Sequence, residues 1–239
     1  MEKFRRAYQL RIKDELKQDS IFPSGDQPLA IEAGEGILRV INSLKGNAPS
    51  KAEKVEIERV TKAIKKIRSK PTIVTPILIP LGEKTQLKEI LAPETIVNFD
   101  LAGDGRGAKW SWVSSDAGIL VYDPQSTGKI SSGRQLFGNA TWWMFFRNGY
   151  DAMAALDDNG DAWLRGKEVS GLAIWRDGNE NGVSDAGEVL PLRDWNIAAL
   201  AVRANGRDKN VLLHARGCEM SDGTFRPTYD WVAQPKIEK

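Results

Sequence analysis

Residues 157–188 read DDNGDAWLRGKEVSGLAIWRDGNENGVSDAGE. The stretch holds two twelve-residue acidic loops, Asp157–Glu168 and Asp177–Glu188. Each carries oxygen side chains at positions 1, 3 and 5 and a Glu at position 12. Calcium is a hard cation that takes roughly six to eight oxygens at about 2.3–2.6 Å, and a short loop supplies them when alternate residues point inward. In the second loop the candidate ligands are Asp177, Asn179, Asn181, the carbonyl of Val183 and Glu188, with Asp185 at position 9 reaching the ion through water. Gly182 occupies position 6, where the chain turns sharply and φ is expected to be positive.

The first loop offers Asp157, Asn159, Asp161, the carbonyl of Trp163 and Glu168. Its position 6 is Ala162, for which a left-handed turn costs on the order of 1 kcal/mol. Its position 9 is Arg165, a cation beside the expected ion. The second loop is therefore expected to bind more tightly, and the chain to hold about two Ca2+ ions. Only Val169–Arg176 separate the loops. Eight residues cannot contain the exiting and entering helices of a calcium sensor, and Leu172–Arg176 has the composition of a short strand. The spacing predicts EF-hand-like loops on a strand scaffold, with ions in a structural role.

The chain has 239 residues, 41% of them hydrophobic and eight of them Trp, enough for a substantial core. No run is long and apolar enough to span a membrane, and the N-terminal MEKFRRAYQLRIKDEL lacks the apolar region of a signal peptide. One Cys and one His exclude an internal disulfide, a Cys/His zinc site and a His-dependent hydrolase triad. The net charge of +2 conceals a basic start, since residues 1–70 hold 16 Lys and Arg against 10 Asp and Glu. Glu residues interleave these cations, so a solvated helix face is expected and nucleic acid is not expected as a partner.

Residues 1–70 are expected to be a helical N-terminal region. Phe4, Tyr8, Ile12 and Leu16 share one face; residues 20–35 read as loop; Ile37, Val40, Ile41 and Leu44 recur at helical spacing. Ser50 and Glu53 form a capping box ahead of a stripe of Ile57, Val60, Ile64 and Ile67. Residues 71–239 are expected to be an α+β domain of strands and short helices. Thr72–Val74, Pro76–Pro80 and Thr95–Phe99 read as strands, Trp110–Val113 and Ile119–Tyr122 as a pair of strands, and Leu190–Ile197 as turn or short helix. Ala199–Val202, Val211–His214 and the segment around Tyr229–Trp231 complete the strands. The run Thr141–Phe146 is expected to be core.

The order Phe99-Asp100-Leu101-x-Gly103-Asp104-Gly105, Gly118-Ile119-Leu120-Val121-x-Asp123, Gly133–Gly138, Asn148-Gly149-x-x-Ala152, then the two loops and Asp222–Trp231, resembles bacterial calcium-binding regions. It is similar to EF-hand-like modules of exported RTX-type proteins and to small bacterial EF-hand domain proteins, over roughly residues 72–231. The resemblance implies a non-catalytic calcium-binding protein, an extracellular or periplasmic setting, and a protein or surface partner. Ala102 and Gln135 depart from the pattern and mark the Asp100 and Asp123 turns as eroded copies. One RTX-type relative has a self-processing module that cuts an Asp-Pro bond on calcium binding. Calcium-triggered cleavage at Asp123–Pro124 is thus an alternative, as is adhesion through Trp142–Phe146.

Overall fold

The computed structural model describes residues 2–17, 22–23, 29–43, 49–68, 72–105, 107–144, 146–233 and 235–236. The chain divides into two compact units, Met1–Phe22 with Asp26–Thr72, and Pro23–Gly25 with Ile73–Lys239.

The first unit contains three helices, α1 (Glu2–Lys17), α2 (Leu29–Ser43) and α3 (Lys51–Arg68). Tyr8, Ile37, Ile41, Val60 and Ile64 are buried among them, as their helical spacing predicts. The capping box forms: Ser50 N–H donates to Glu53 at 2.8 Å and Glu53 N–H donates to the Ser50 hydroxyl at 3.3 Å. Arg5 grips Glu56 through two nitrogens, at 2.8 and 2.5 Å. The helix α2 begins at Leu29, well inside the stretch expected to be loop. The loop reading rests on Pro23, Gly25 and Pro28, all of which precede the helix; within it, a Cβ on Gly34 would stand 3.0 Å from Ile64 and 3.1 Å from Val60. The absence of a side chain at Gly34 lets α2 approach α3. The expected placements of Leu16, Leu44 and Ile67 within the apolar stripes lie outside the described side chains.

The second unit is built on a curled, antiparallel half-barrel sheet. Its strands are β1 (Ile77–Pro80), β4 (Ala117–Tyr122), β5 (Trp163–Leu164), β6 (Leu172–Trp175), β7 (Val189–Pro191), β8 (Ile197–Ala201), β9 (Gly206–Asp208), β10 (Val211–Met220) and β11 (Phe225–Asp230). They lie in the order β5-β8-β10-β11-β1-β4-β6-β7, with β9 pairing on β10. A separate hairpin joins β2 (Leu91–Phe99) to β3 (Ala108–Val113). Among the described residues, one α-helix, α4 (Gly149–Ala154), and short 3-10 turns complete this unit.

Both faces of the sheet are covered. Leu78, Ile119, Val121, Ala173 and Trp175 face one cluster, closed by Val97, Phe99, Trp110 and Trp112 of the hairpin. Ile77, Ile79, Leu120, Leu172 and Ile174 face the other, closed by Phe137, Tyr150 and Met153. Alternate residues therefore enter opposite cores, which is why these strands read as continuous apolar runs.

This architecture overturns the expected α+β class. Residues 73–239 are mostly β, and the acidic loops are not set between the paired helices of an EF-hand. The apolar runs here are short and closed by Gly and Asp turns, too short to offset the cost of helix nucleation, whereas antiparallel pairing satisfies their backbones across the sheet. Two local expectations also change. Trp110–Val113 pairs with Leu91–Phe99, whereas Ile119–Tyr122 lies between β1 and β6. The Leu190–Ile197 stretch supplies edge strand β7 before a 3-10 turn at Leu192–Trp195.

Candidate functional site

The sheet carries the two acidic loops on successive connections, the first from α4 through β5 to β6 and the second from β6 to β7. Their hydrogen-bond schemes share most of their bonds. In the first, Asp157 accepts from the backbone N–H groups of Gly160 (2.9 Å) and Ala162 (3.0 Å). Asn159 accepts from Asp161 N–H, and Asp161 from Trp163 N–H, each at 2.8 Å. Glu168 accepts from Asp158 N–H (3.0 Å), Asn159 N–H (3.3 Å) and Arg165 N–H (3.0 Å).

In the second loop Asp177 accepts from Asn181 N–H (3.1 Å) and Gly182 N–H (2.7 Å). Asn179 accepts from Asn181 N–H (3.1 Å), and Asn181 from Val183 N–H (2.6 Å). Glu188 accepts from Gly178 N–H (2.8 Å) and Asp185 N–H (3.0 Å). The side chain of Asp185 turns instead to the amides of Asn179 and Asn181, at 2.9 and 3.0 Å, and those bonds hold its carboxyl below the usual range. Position 6 is left-handed in both loops, with φ of 68° at Ala162 and 73° at Gly182.

The loops differ in what surrounds them. Asp157 is half-buried, and Asn159 and Asp161 are exposed. Asp177 is fully buried and takes a further 2.6 Å hydrogen bond from the indole N–H of Trp112. Burial pushes its carboxyl upward against the pull of Gly182, Trp112 and Asn181, and the charge of nearby Glu188 pushes the same way. Glu180, at φ 59°, accepts from Ser115 N–H and from the Thr95 hydroxyl, both at 3.1 Å. Ser184 accepts from Ile130 N–H at 2.8 Å. The second loop is thus bolted to the β2–β3 hairpin, to the residues after β3 and to the Asp123 turn.

Trp112 and Glu180 are the residues that spacing within the loop does not reveal. Trp112 lies 65 positions from Asp177, and Glu180 occupies a loop position that contributes no ion ligand. A third missed residue is Asp230, buried at the end of β11, where it accepts Gly149 N–H at 2.7 Å and so fixes the start of α4. Burial raises its carboxyl to about 7.

The eroded turns keep their shape. Asp123 accepts from Thr127 N–H (3.0 Å), the Thr127 hydroxyl (3.0 Å) and Gly128 N–H (2.8 Å). Gln135 takes the place of the missing Glu by accepting Ser131 N–H at 2.9 Å. Asp100 accepts from Gly105 N–H (3.2 Å) and the Ser132 hydroxyl (2.8 Å). The aromatic run is only partly core. Trp142 packs edge-on against Tyr122, Phe137 and Phe146, while Met144 is 64% exposed. Phe145 lies outside the described residues. Among the described residues, no three His, Cys, Asp or Glu side chains converge closely enough to hold a metal ion by themselves. The second loop instead interleaves two asparagine amides with its carboxylates.

With this geometry in view, comparison with known proteins is informative. The model of the SPM domain matches residues 87–233, more than half of the chain. The chain belongs to the SPM domain family. The matched span of the SPM domain contains the hairpin, both acidic loops and strands β4 through β11. A relative is the iron-regulated protein FrpA of Neisseria meningitidis serogroup C, 35% identical over 118 residues. That alignment covers 47% of this chain and 11% of FrpA, so the SPM chain corresponds to a small part of the relative's length.

Proposed function

We propose that this SPM domain is a non-catalytic calcium-binding module in which ions rigidify the Asp157–Glu168 and Asp177–Glu188 loops, with the tighter site in the second. The observation that carries the reading is the shared hydrogen-bond scheme. Position 1, 3 and 5 oxygens and the position 12 carboxylate are gathered by the loop's own N–H groups, so the acceptors are assembled on backbone geometry. The donor set is all oxygen, which suits calcium. The repulsion that Glu188 exerts on buried Asp177 is a cost that a divalent cation would relieve. Asp177, Asn179, Asn181, the Val183 carbonyl and Glu188 would hold the ion, Asp185 contributing through water.

An ion that binds only the folded chain stabilises it by RT ln(1 + [L]/Kd), about 2.7 kcal/mol at roughly a hundredfold excess over Kd. Thermal melting in calcium should therefore rise relative to chelator. Glu188→Gln, which keeps an acceptor for Gly178 N–H, should remove most of the rise, and Glu168→Gln a smaller part. A melting temperature indifferent to calcium would sink the reading.

Two observations bear on the alternatives. The carboxylate of Asp123 is tied to Thr127 and Gly128, which occupies the group that would attack its own carbonyl to cut before Pro124. The Trp142 ring packs against Tyr122, Phe137 and Phe146, which leaves Met144 as the exposed side chain of that run among the described residues.

A further inference from the structure

A cleft of ≈ 1280 Å³ opens in the second unit where three connections meet: the Asp123 turn, the segment leaving the first acidic loop, and the last third of the second. Strand β7 runs along one side. It pairs with β6 on one edge and is the last strand of the sheet, and all three of its residues are only partly covered. An edge strand presents backbone N–H and C=O groups to whatever lies beside it. The floor is apolar, with Leu172 and Leu192 buried beneath the cleft.

The exposed charge of the lining is basic. Four charged residues border the cleft: Asp123, Lys129, Lys167 and Arg193. The Asp123 carboxylate is spent on Thr127 and Gly128 and is buried. The three cations are exposed, Arg193 making only a 3.5 Å contact with its neighbour Asp194. An apolar floor, an edge strand and a basic rim together suit one kind of occupant. We propose that this cleft is a docking groove for an extended, acidic peptide segment of a partner. The segment lies along β7, pairs its backbone with that edge, sets alternate apolar side chains on the floor, and turns its carboxylates to Lys129, Lys167 and Arg193. Strand addition takes affinity from main-chain bonds and selectivity from alternate side chains, so all three features of the cleft are used. A simple anion would use the cations and leave the strand edge and the floor empty. The groove does not require an ion in either acidic loop.

The test is fluorescence anisotropy with a labelled peptide of alternating Glu and Val. A Lys/Val peptide, an N-methylated copy of the Glu/Val peptide and inorganic polyphosphate serve as comparisons. The Glu/Val peptide should bind best, and N-methylation, which removes strand pairing, should weaken it. The K129E/K167E/R193E variant should bind about tenfold or more weakly. All three substituted side chains are exposed, so an unchanged melting temperature reports an intact fold. Equal binding of the Lys/Val peptide, an unaffected triple variant, or no binding of the Glu/Val peptide overturns the proposal. Polyphosphate binding as tightly as the peptide, or indifference to N-methylation, overturns the assignment to a peptide strand.

Discussion

The two acidic loops follow one hydrogen-bond scheme and stand in different surroundings. The Asp157 loop gathers its ligand-position side-chain oxygens on its own backbone, and meets the rest of the chain through the pairing of β5 with β8 and an ion pair of Arg165 with Glu219 at 2.7 Å. The Asp177 loop has a closely similar set of internal bonds and adds Trp112, Thr95, Ser115 and Ile130 from elsewhere in the chain. A turn sequence therefore specifies its own shape in either setting. Whether it also holds the domain together depends on what packs against it. The first loop holds its carboxylates at the surface and is tied to the sheet edge through β5, and the second is a joint between the hairpin and the sheet.

The sharpest way to break this distinction is to remove the position 1 carboxylate from each loop. Asp177→Ala leaves the Trp112 indole N–H and the Gly182 amide without their acceptor, while the Asn181 amide keeps its bond to Asn179. At roughly 1–3 kcal/mol for each buried unsatisfied donor, with partial relaxation, the loss should be about 4 kcal/mol in chemical denaturation. Asp157→Ala, in a half-exposed setting, should cost about 1 kcal/mol. Equal losses would show that the two loops are anchored alike.

An effect of similar size should come from Asp230, which fixes the start of α4 and so the approach to the first loop. Burial raises its carboxyl to about 7, against ~3.9 in an unfolded chain. Because the folded value is the higher one, its contribution is fully present below about pH 4 and is lost as pH rises through 7, a change of roughly 4 kcal/mol. Denaturation of the parent and of Asp230→Asn at about pH 5 and pH 8 checks this, and the Asn variant should flatten the dependence. A parent whose stability does not fall across that window would contradict the assignment.

Position 6 separates the loops by sign. Gly182 lies at φ 73°, and a Cβ there would stand 2.6 Å from Val97. Gly182→Ala should therefore cost about 2 kcal/mol, through both the left-handed backbone and the clash with the hairpin. Ala162 is already strained at φ 68°. Ala162→Gly should stabilise by a few tenths to about 1 kcal/mol, the relief of that strain being offset in part by glycine's greater freedom when unfolded. Melting temperatures moving in the same direction for the two variants would remove the contrast.

Much of the local structure was legible from residue order. The Ser50–Glu53 cap, the helical stripe through Val60 and Ile64, the strand at Leu172–Trp175 and the left-handed position 6 all follow from short-range chemistry: a side chain reaching its neighbour's N–H, or a φ angle that few residues tolerate. The internal bonding of each acidic loop is local for the same reason, because twelve consecutive residues contain both the acceptors and the donors that arrange them.

The fold class and the joint were decided at long range. Pairings such as Leu78 with Ile119, Leu78 with Tyr229, and Leu120 with Ile174 put apolar residues into two cores, and nothing local ranks those partners above others. Short apolar runs between Gly and Asp turns are compatible with strands or helical turns when taken singly. The cooperative gain of a sheet buried on both faces selects the mostly β answer. Likewise Asp177 and Asp157 are the same residue at the same loop position. One became buried because the β2–β3 hairpin folds across it and supplies the Trp112 N–H that makes a buried carboxylate tolerable, and that partner exists only once the tertiary structure has formed.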